Sequence, residues 1–229
     1  MPVGRFARWL VDAREPGELN MVEMALVSAA CAAPEGPFGE RARRVLALVD
    51  RVHRVSPLPS IPIDHQVENL FADGQYRFDR HRGKARGIGI RASAPHPELT
   101  LLHEIGHFLD HQALGRPGSF ASKLHPDLPS WRRVVWASTA FQEAHAARVA
   151  AELRGVRVDH FDYWLATTEL WSRAYAQYIV SVTRDVGLRV QLDEVWGSGV
   201  VYHWVYWEER DFARILEAVD RLFRQKEWR

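Results

Sequence analysis

The chain has 229 residues, 47% of them hydrophobic, and a formal net charge of +1. This is enough apolar material for one domain with a lobe or for two small domains, and nine tryptophans add bulk to the core. The near-zero charge offers no global attraction to nucleic acid, and the single cysteine, Cys31, excludes an intramolecular disulfide.

No apolar run reaches the ~18 residues of a membrane span. The longest, 21–33, is interrupted by Glu23, and Asp12, Glu15 and Glu18 precede it where a secretory signal would be basic. A cytoplasmic protein is expected, with signal-less export left open and no membrane or nucleic-acid partner.

In chain order, residues 3–13, 18–33 and 38–54 read as helices, separated by Pro16-Gly17 and by Pro34-Glu35-Gly36-Pro37. Residues 55–63 carry Pro57, Pro59 and Pro62 and read as an extended connector. Strands are expected at 67–71, 75–78 and 87–92, with turns at Asp73-Gly74 and Gly83-Lys84. Helices follow at about 97–114, 130–153, 167–184 and 207–226. The boundaries imply a helical N-terminal region, 1–60, ahead of a unit at 61–229.

The helix at 97–114 carries His103-Glu104-Ile105-Gly106-His107, an H-E-x-x-H pattern. Two histidines four residues apart share one helical face and can reach a single divalent metal. The glutamate between them stands where it can take a proton from water at that metal. The composition alone would produce about 0.04 such matches by chance. At ~100° per residue, Leu101, Leu102, Ile105, Phe108 and Leu109 fall on one arc. His103, Glu104, His107, Asp110 and His111 fall on the opposite arc. Pro97 and Glu98 suit the start of this helix, and Gly115 with Pro117 its end.

A catalytic zinc site takes three protein ligands and keeps one position open. Asp110 lies about 10 Å along the axis from His103, too far to close the same shell. The third ligand must therefore come from another segment. Glu169 sits in the first turn of a helix capped by Thr167, and Ser172 and Ala176 near its face would allow close approach to Gly106. Glu143 and Glu152, on the preceding helix, are rivals, and an acid in a first turn is stabilising whatever its function. On the residues alone the choice stays open.

The run 99–110, with its His-Glu-Ile-Gly-His core, resembles the active-site helix of gluzincin metallopeptidases. It is most similar to phage- and mobile-element-associated peptidases and to anthrax-lethal-factor-like domains. The segment 163–175, in which an aromatic-led stretch precedes Glu169-Leu170-Trp171-Ser172-Arg173-Ala174, is similar to their second motif. The resemblance does not extend to the first 60 residues. It implies a zincin-like α+β fold, mostly helical with a small sheet before the active-site helix. It also implies zinc (Zn2+) held by His103, His107 and Glu169, Glu104 as general base, and Tyr163 as a donor to the oxyanion.

Several other features bear on a site. The strand around Arg86-Gly87-Ile88-Gly89-Ile90 reads as a cleft edge open to an extended peptide or as a glycine-weakened edge strand. The basic stretch 80–86 reads as a solvated turn. Asp110 is a candidate to orient a ligand imidazole or to pair with Arg173. His145 and His160 read as structural histidines, and Tyr202, Trp204, Tyr206 and Trp207 as packing for the last helix or as a pocket wall. Cys31, in an apolar run, reads as buried and inert. The sequence thus points to a zinc endopeptidase acting on protein or peptide. The alternative is a zinc-binding interaction module on the same scaffold that is catalytically silent or partner-activated.

Overall fold

Burial of most of the motif helix, on both its apolar and its polar face, organises the architecture. In the computed structural model, which describes residues 24–197 and 206–229, helix α3 (Pro97–Gln112) buries its apolar face. It also buries Glu104, His107, Asp110, His111 and Gln112 on the opposite face. One face meets the core, and the other is roofed by a small sheet and a second long helix. The fold is α+β, and no described helix is long and apolar enough to cross a membrane.

The sheet has four strands in the order β1-β2-β4-β3. Strand β1 (Cys31–Ala32) runs parallel to β2 (Ile61–Asp64), and β2 parallel to β4 (Lys84–Ile90). Strand β3 (Gly74–Asp79) is antiparallel to β4 and forms the edge beside α3. Pro62 is accommodated in β2 while Ile61 and Ile63 bury their side chains. The β3–β4 turn closes at Gly83, whose φ of 62° and proximity to Gly118 both require the absence of a side chain.

Two strand expectations change. The stretch 67–71 is a turn, because Asn69 accepts from the Phe71 amide at 3.0 Å and draws the chain out of extended geometry. Strand β4 lies in the sheet interior rather than at a cleft edge. A Cβ on Gly89 would meet the Gln66 carbonyl at 1.8 Å, and one on Gly87 would meet the Arg77 guanidinium at 2.5 Å. These glycines admit neighbours from the same chain, not a substrate backbone.

The helices also differ in detail. The expected helix at 3–13 and most of the one at 18–33 lie outside the described residues. The described end is a single turn, α1 (Val27–Ala30), leading into β1, and Asp50 accepts from the Val27 amide at 2.8 Å. Helix α2 (Gly36–Val52) follows. Short α4 (Ala121–Leu124) was not anticipated. The stretch 130–153 breaks at Ser138 into α5 (Pro129–Trp136) and α6 (Thr139–Leu153). Ser138 caps α6, and its hydroxyl also accepts from the Trp207 indole at 2.9 Å. Helix α7 (Asp159–Trp164) leads into α8 (Thr167–Thr183), whose N-cap is Ala166 rather than Thr167. An additional helix, α9 (Val186–Gly197), starts where Asp185 accepts from the Leu188 amide, and α10 (Glu209–Gln225) completes the described chain.

Helix α2 lies against both α3 and α8, and β1 pairs with β2, so the described part of residues 1–60 shares one core with the rest. Cys31 is buried there, and burial with the nearby Asp50 pushes its thiol up to about 12, which makes it unreactive. His53, at the end of α2, is packed against Tyr175, Phe223 and Trp228, with Nε2 at 2.9 Å from the Tyr175 hydroxyl.

Burial lowers the His53 pKa to about 4, against an ordinary value of 6.5. Above pH 6.5 the ring is neutral in both folded and unfolded chains. Between pH 6.5 and 4 only the unfolded chain takes the proton, so stability falls by about 3 kcal/mol across that window. His53→Gln keeps a partner for Tyr175 but does not titrate. Its unfolding free energy, from urea melts at pH 7 and pH 4.5, should fall by about 2 kcal/mol less than that of the parent. Equal losses would contradict this account of His53.

Candidate metal centre

Helices α3 and α8 pack along each other more extensively than any other pair of helices. The crossing point is Gly106, where a Cβ would lie 2.9 Å from Ser172 Cα and 3.2 Å from its carbonyl oxygen. Only glycine fits there, and the Trp171 indole donates to the Gly106 carbonyl at 3.1 Å. This close approach brings the first turn of α8 over the histidine face of α3.

As a result, the Glu169 carboxylate lies between the two imidazoles. Its Oε2 is 3.2 Å from His103 Nε2, and its Oε1 is 3.2 Å from His107 Nε2. One ligand atom from each residue lies within 4.8 Å of the other two. A tetrahedral ion with bonds of about 2.0–2.2 Å separates its donors by about 3.3–3.6 Å, close to the two imidazole–carboxylate spacings of 3.2 Å, so this set suits a divalent metal. Two imidazoles and a carboxylate are also the donor chemistry that borderline ions such as zinc accept. Of Glu143, Glu152 and Glu169, the geometry brings in Glu169. Glu143 is exposed on α6, and Glu152 is exposed and pairs with Arg148.

Glu104 projects from the same face. Its Oε2 accepts from the backbone amide of Tyr76 on β3 at 2.6 Å. Strand β3 passes so close that a Cβ on Gly74 would lie 2.5 Å from Thr100 Cγ2 and 2.9 Å from Glu104 Oε1. Gly74 is thus demanded by packing on α3, whereas the sequence suggested a hairpin turn. Burial raises the Glu104 pKa and nearby Glu169 adds to that effect, while His103, His107 and the Tyr76 amide oppose it. Tyr76 is anchored in turn, with its hydroxyl 2.8 Å from His111 Nδ1.

A cavity of about 470 Å³ opens beside these groups, lined in part by His103, Glu104, Tyr163 and Tyr206. Tyr163 lies on α7 with 56% of its surface exposed, yet its hydroxyl reaches Glu169. Burial of that hydroxyl, with Glu169 and Glu104 nearby, raises its pKa, so it stays protonated. Tyr206 is buried and belongs to the cavity wall, a role the sequence offered only as one option for an aromatic group. Of that group, Tyr202 and Trp204 lie outside the described residues, and Trp207 packs between Ser138 and Gln177.

The remaining candidates are placed elsewhere. Asp110 neither touches an imidazole nor pairs with Arg173. Its two oxygens accept from the Ser122 amide at 2.7 Å and hydroxyl at 2.6 Å, which ties α4 to α3. Arg173 is buried one turn beyond Glu169 and donates to the backbone carbonyls of Glu169 and Trp164. His145 stacks on Phe141, and His160 contacts Phe161 and Trp164. The Tyr76 amide on Glu104 had no signal in the sequence, since every residue except proline carries such a donor.

Comparison of the chain with family models, with curated proteins and with solved structures finds no match.

Burial disfavours charge on His107, but Glu169, with smaller help from Glu104 and Asp110, raises its pKa to about 9. The same pairing holds Glu169 well below the ordinary carboxyl range despite its burial. A metal-binding imidazole must be neutral, so ion uptake at pH 7.5 should release about one proton, and affinity should rise with pH up to about 9. Titration calorimetry with zinc in two buffers of different ionisation heat measures this directly. Uptake without proton release would contradict the pairing.

Proposed function

We propose that this chain is a zinc-dependent endopeptidase of the gluzincin type on a zincin-like scaffold, with protein or peptide as substrate. The observation that carries the reading is the convergence of His103, His107 and Glu169 next to a cavity whose wall includes Glu104. A structural ion-pair triad needs no buried carboxylate beside it and no opening to solvent, and this centre has both.

His103, His107 and Glu169 would hold the ion. When bound, zinc supplies Lewis acidity, lowering the pKa of nearby water toward neutrality and polarising the scissile carbonyl. Glu104 Oε2 is held by the Tyr76 amide, which leaves Oε1 to accept a proton from the attacking water. Glu104 then delivers that proton to the leaving amine nitrogen as the carbon–nitrogen bond breaks. Its raised pKa suits both halves of this transfer, because a weakly basic carboxylate would hold the proton poorly. The Tyr163 hydroxyl, kept protonated, donates to the carbonyl oxygen as negative charge builds there. Arg173 fixes the first turn of α8 through the Glu169 carbonyl and so steadies the third ligand.

The competing reading is a zinc-binding module that cuts nothing without a partner. It is favoured by the 2.6 Å hydrogen bond that already engages one Glu104 oxygen. Zinc retention with no cleavage of any unfolded protein would select it.

The variants separate metal binding from chemistry. Glu169→Ala and His103→Ala should lose zinc, while Glu143→Ala and Glu152→Ala should keep it, as read by metal content after gel filtration. Glu104→Gln should keep zinc and the fold while cleavage of casein-like unfolded protein falls by about 10²–10⁴-fold. Undiminished cleavage by Glu104→Gln at matched zinc loading would defeat the proposed proton transfer, whatever holds the metal.

A further inference from the structure

The loop between β2 and β3 presents two consecutive large apolar side chains to solvent. Leu70 is 79% exposed and Phe71 is 99% exposed. No other neighbouring pair among the described residues leaves two large apolar side chains in water. Isolated exposed apolar residues are ordinary, but a consecutive pair, one member of which lines a cavity, points to a contact surface.

The loop holding them is braced. Arg91, just after β4, donates from Nε to the Ala72 carbonyl at 2.9 Å and from Nη2 to the Asn69 carbonyl at 2.8 Å. Its own amide donates to the Asp73 carbonyl at 2.7 Å. Asn69 Oδ1 accepts from the Phe71 amide, and Gln75 Oε1 accepts from the Glu68 amide at 2.7 Å. The backbone at 68–73 is therefore fixed from both sides. The two side chains it carries contribute nothing to the core, so folding does not account for them.

Their position is informative. Phe71 lines the same 470 Å³ cavity as His103 and Glu104, and Pro95, Leu99, Val195 and Tyr206 continue its apolar wall. Phe71 thus forms an apolar lip on the candidate active site, and Leu70, next to it in the chain, extends the exposed apolar surface away from the cavity. Glu68 and Asp73 flank it with exposed negative charge, which is unfavourable on the anionic face of a membrane.

We propose that Leu70 and Phe71 dock a bulky apolar side chain of an extended polypeptide, so that the substrates of this site carry Leu, Phe or a similar residue beside the bond to be cut. This rests on the peptidase reading for the word substrate, but the docking itself does not depend on turnover. A preorganised apolar lip binds such a side chain at little ordering cost, because the loop is already fixed.

The test uses two fluorescein-labelled decapeptides, identical in a Gly/Ser/Ala background except for a central Leu or a central Ser. Binding to full-length, zinc-loaded Glu104→Gln protein is read by fluorescence anisotropy, so no cleavage is needed. The Leu peptide should bind about tenfold more tightly than the Ser peptide. Adding Leu70→Ser and Phe71→Ser together should remove that preference while zinc content and melting temperature stay unchanged. Because both side chains are exposed, the double variant should fold. An unchanged preference in the double variant, or no binding of either peptide, would overturn the proposal. So would dependence on the pair for vesicle binding or for dimerisation in place of peptide binding. Cleavage is scored separately with the wild-type enzyme. Leu-dependent docking without cleavage would sink the peptidase reading and leave the docking surface standing. Cleavage of both peptides at equal rates, unaffected by the double substitution, would do the reverse.

Discussion

The close crossing of α3 and α8 at Gly106 and Ser172 is the contact on which the site depends. Two long helices can approach to the point where a Cβ would lie 2.9 Å from a backbone atom only if one of them lacks a side chain there. That approach sets the Glu169 carboxylate between two imidazoles whose own spacing follows from one turn of helix. The charges gathered there would otherwise be costly. Glu104, Glu169 and Arg173 are all buried, and each unpaired buried ion costs several kcal/mol. The His103–Glu169–His107 contacts and the hydrogen bonds of Arg173 offset part of this. A divalent cation would replace the shared proton with two charges, which gives the centre a physical reason to bind metal.

Edge strand β3 is a second constraint, acting on Glu104. Tyr76 is fastened to α3 twice, by its amide on Glu104 and by its hydroxyl against His111, and its ring packs on Phe78 and Phe108. Gly74 brings the same strand within contact of Thr100 and Glu104. The carboxylate is therefore held by a rigid strand instead of by solvent, which fixes one oxygen and leaves the other available. Asp110 and Ser122 clamp the far end of α3 to α4 in a comparable way.

The helix motif was legible in the sequence because everything that defines it is local. Spacing, apolar periodicity and the Pro97 start all lie within one segment, and the helix forms at Pro97–Gln112. Glu169 needed more, since nothing in the chain between positions 107 and 169 encodes which helices meet. The usable hints were the small residues Ser172 and Ala176 near the Glu169 face and the resemblance of segment 163–175. The misread elements share a cause, in that a side chain captured the backbone. Asn69 turned 67–71 into a loop, Ser138 broke a long helical stretch in two, and Asp185 started a helix, α9, whose apolar face is too narrow to stand out. The glycines at 74, 87 and 89 looked like turns or open backbone, yet each makes room for a neighbour that is distant or invisible in one dimension.

Identification of the atoms around the ion tests this account most directly. X-ray absorption at the zinc edge, on protein loaded to one ion per chain, counts imidazoles by the multiple scattering of their rings and separates nitrogen and oxygen donors from sulfur; comparison with Glu169→Ala identifies the carboxylate. Two imidazoles, nitrogen and oxygen donors at about 2.0–2.2 Å and no sulfur are expected, with the shell altered in Glu169→Ala. A sulfur shell, a single imidazole, or failure to load zinc stoichiometrically would contradict the assignment of His103, His107 and Glu169 as the metal centre.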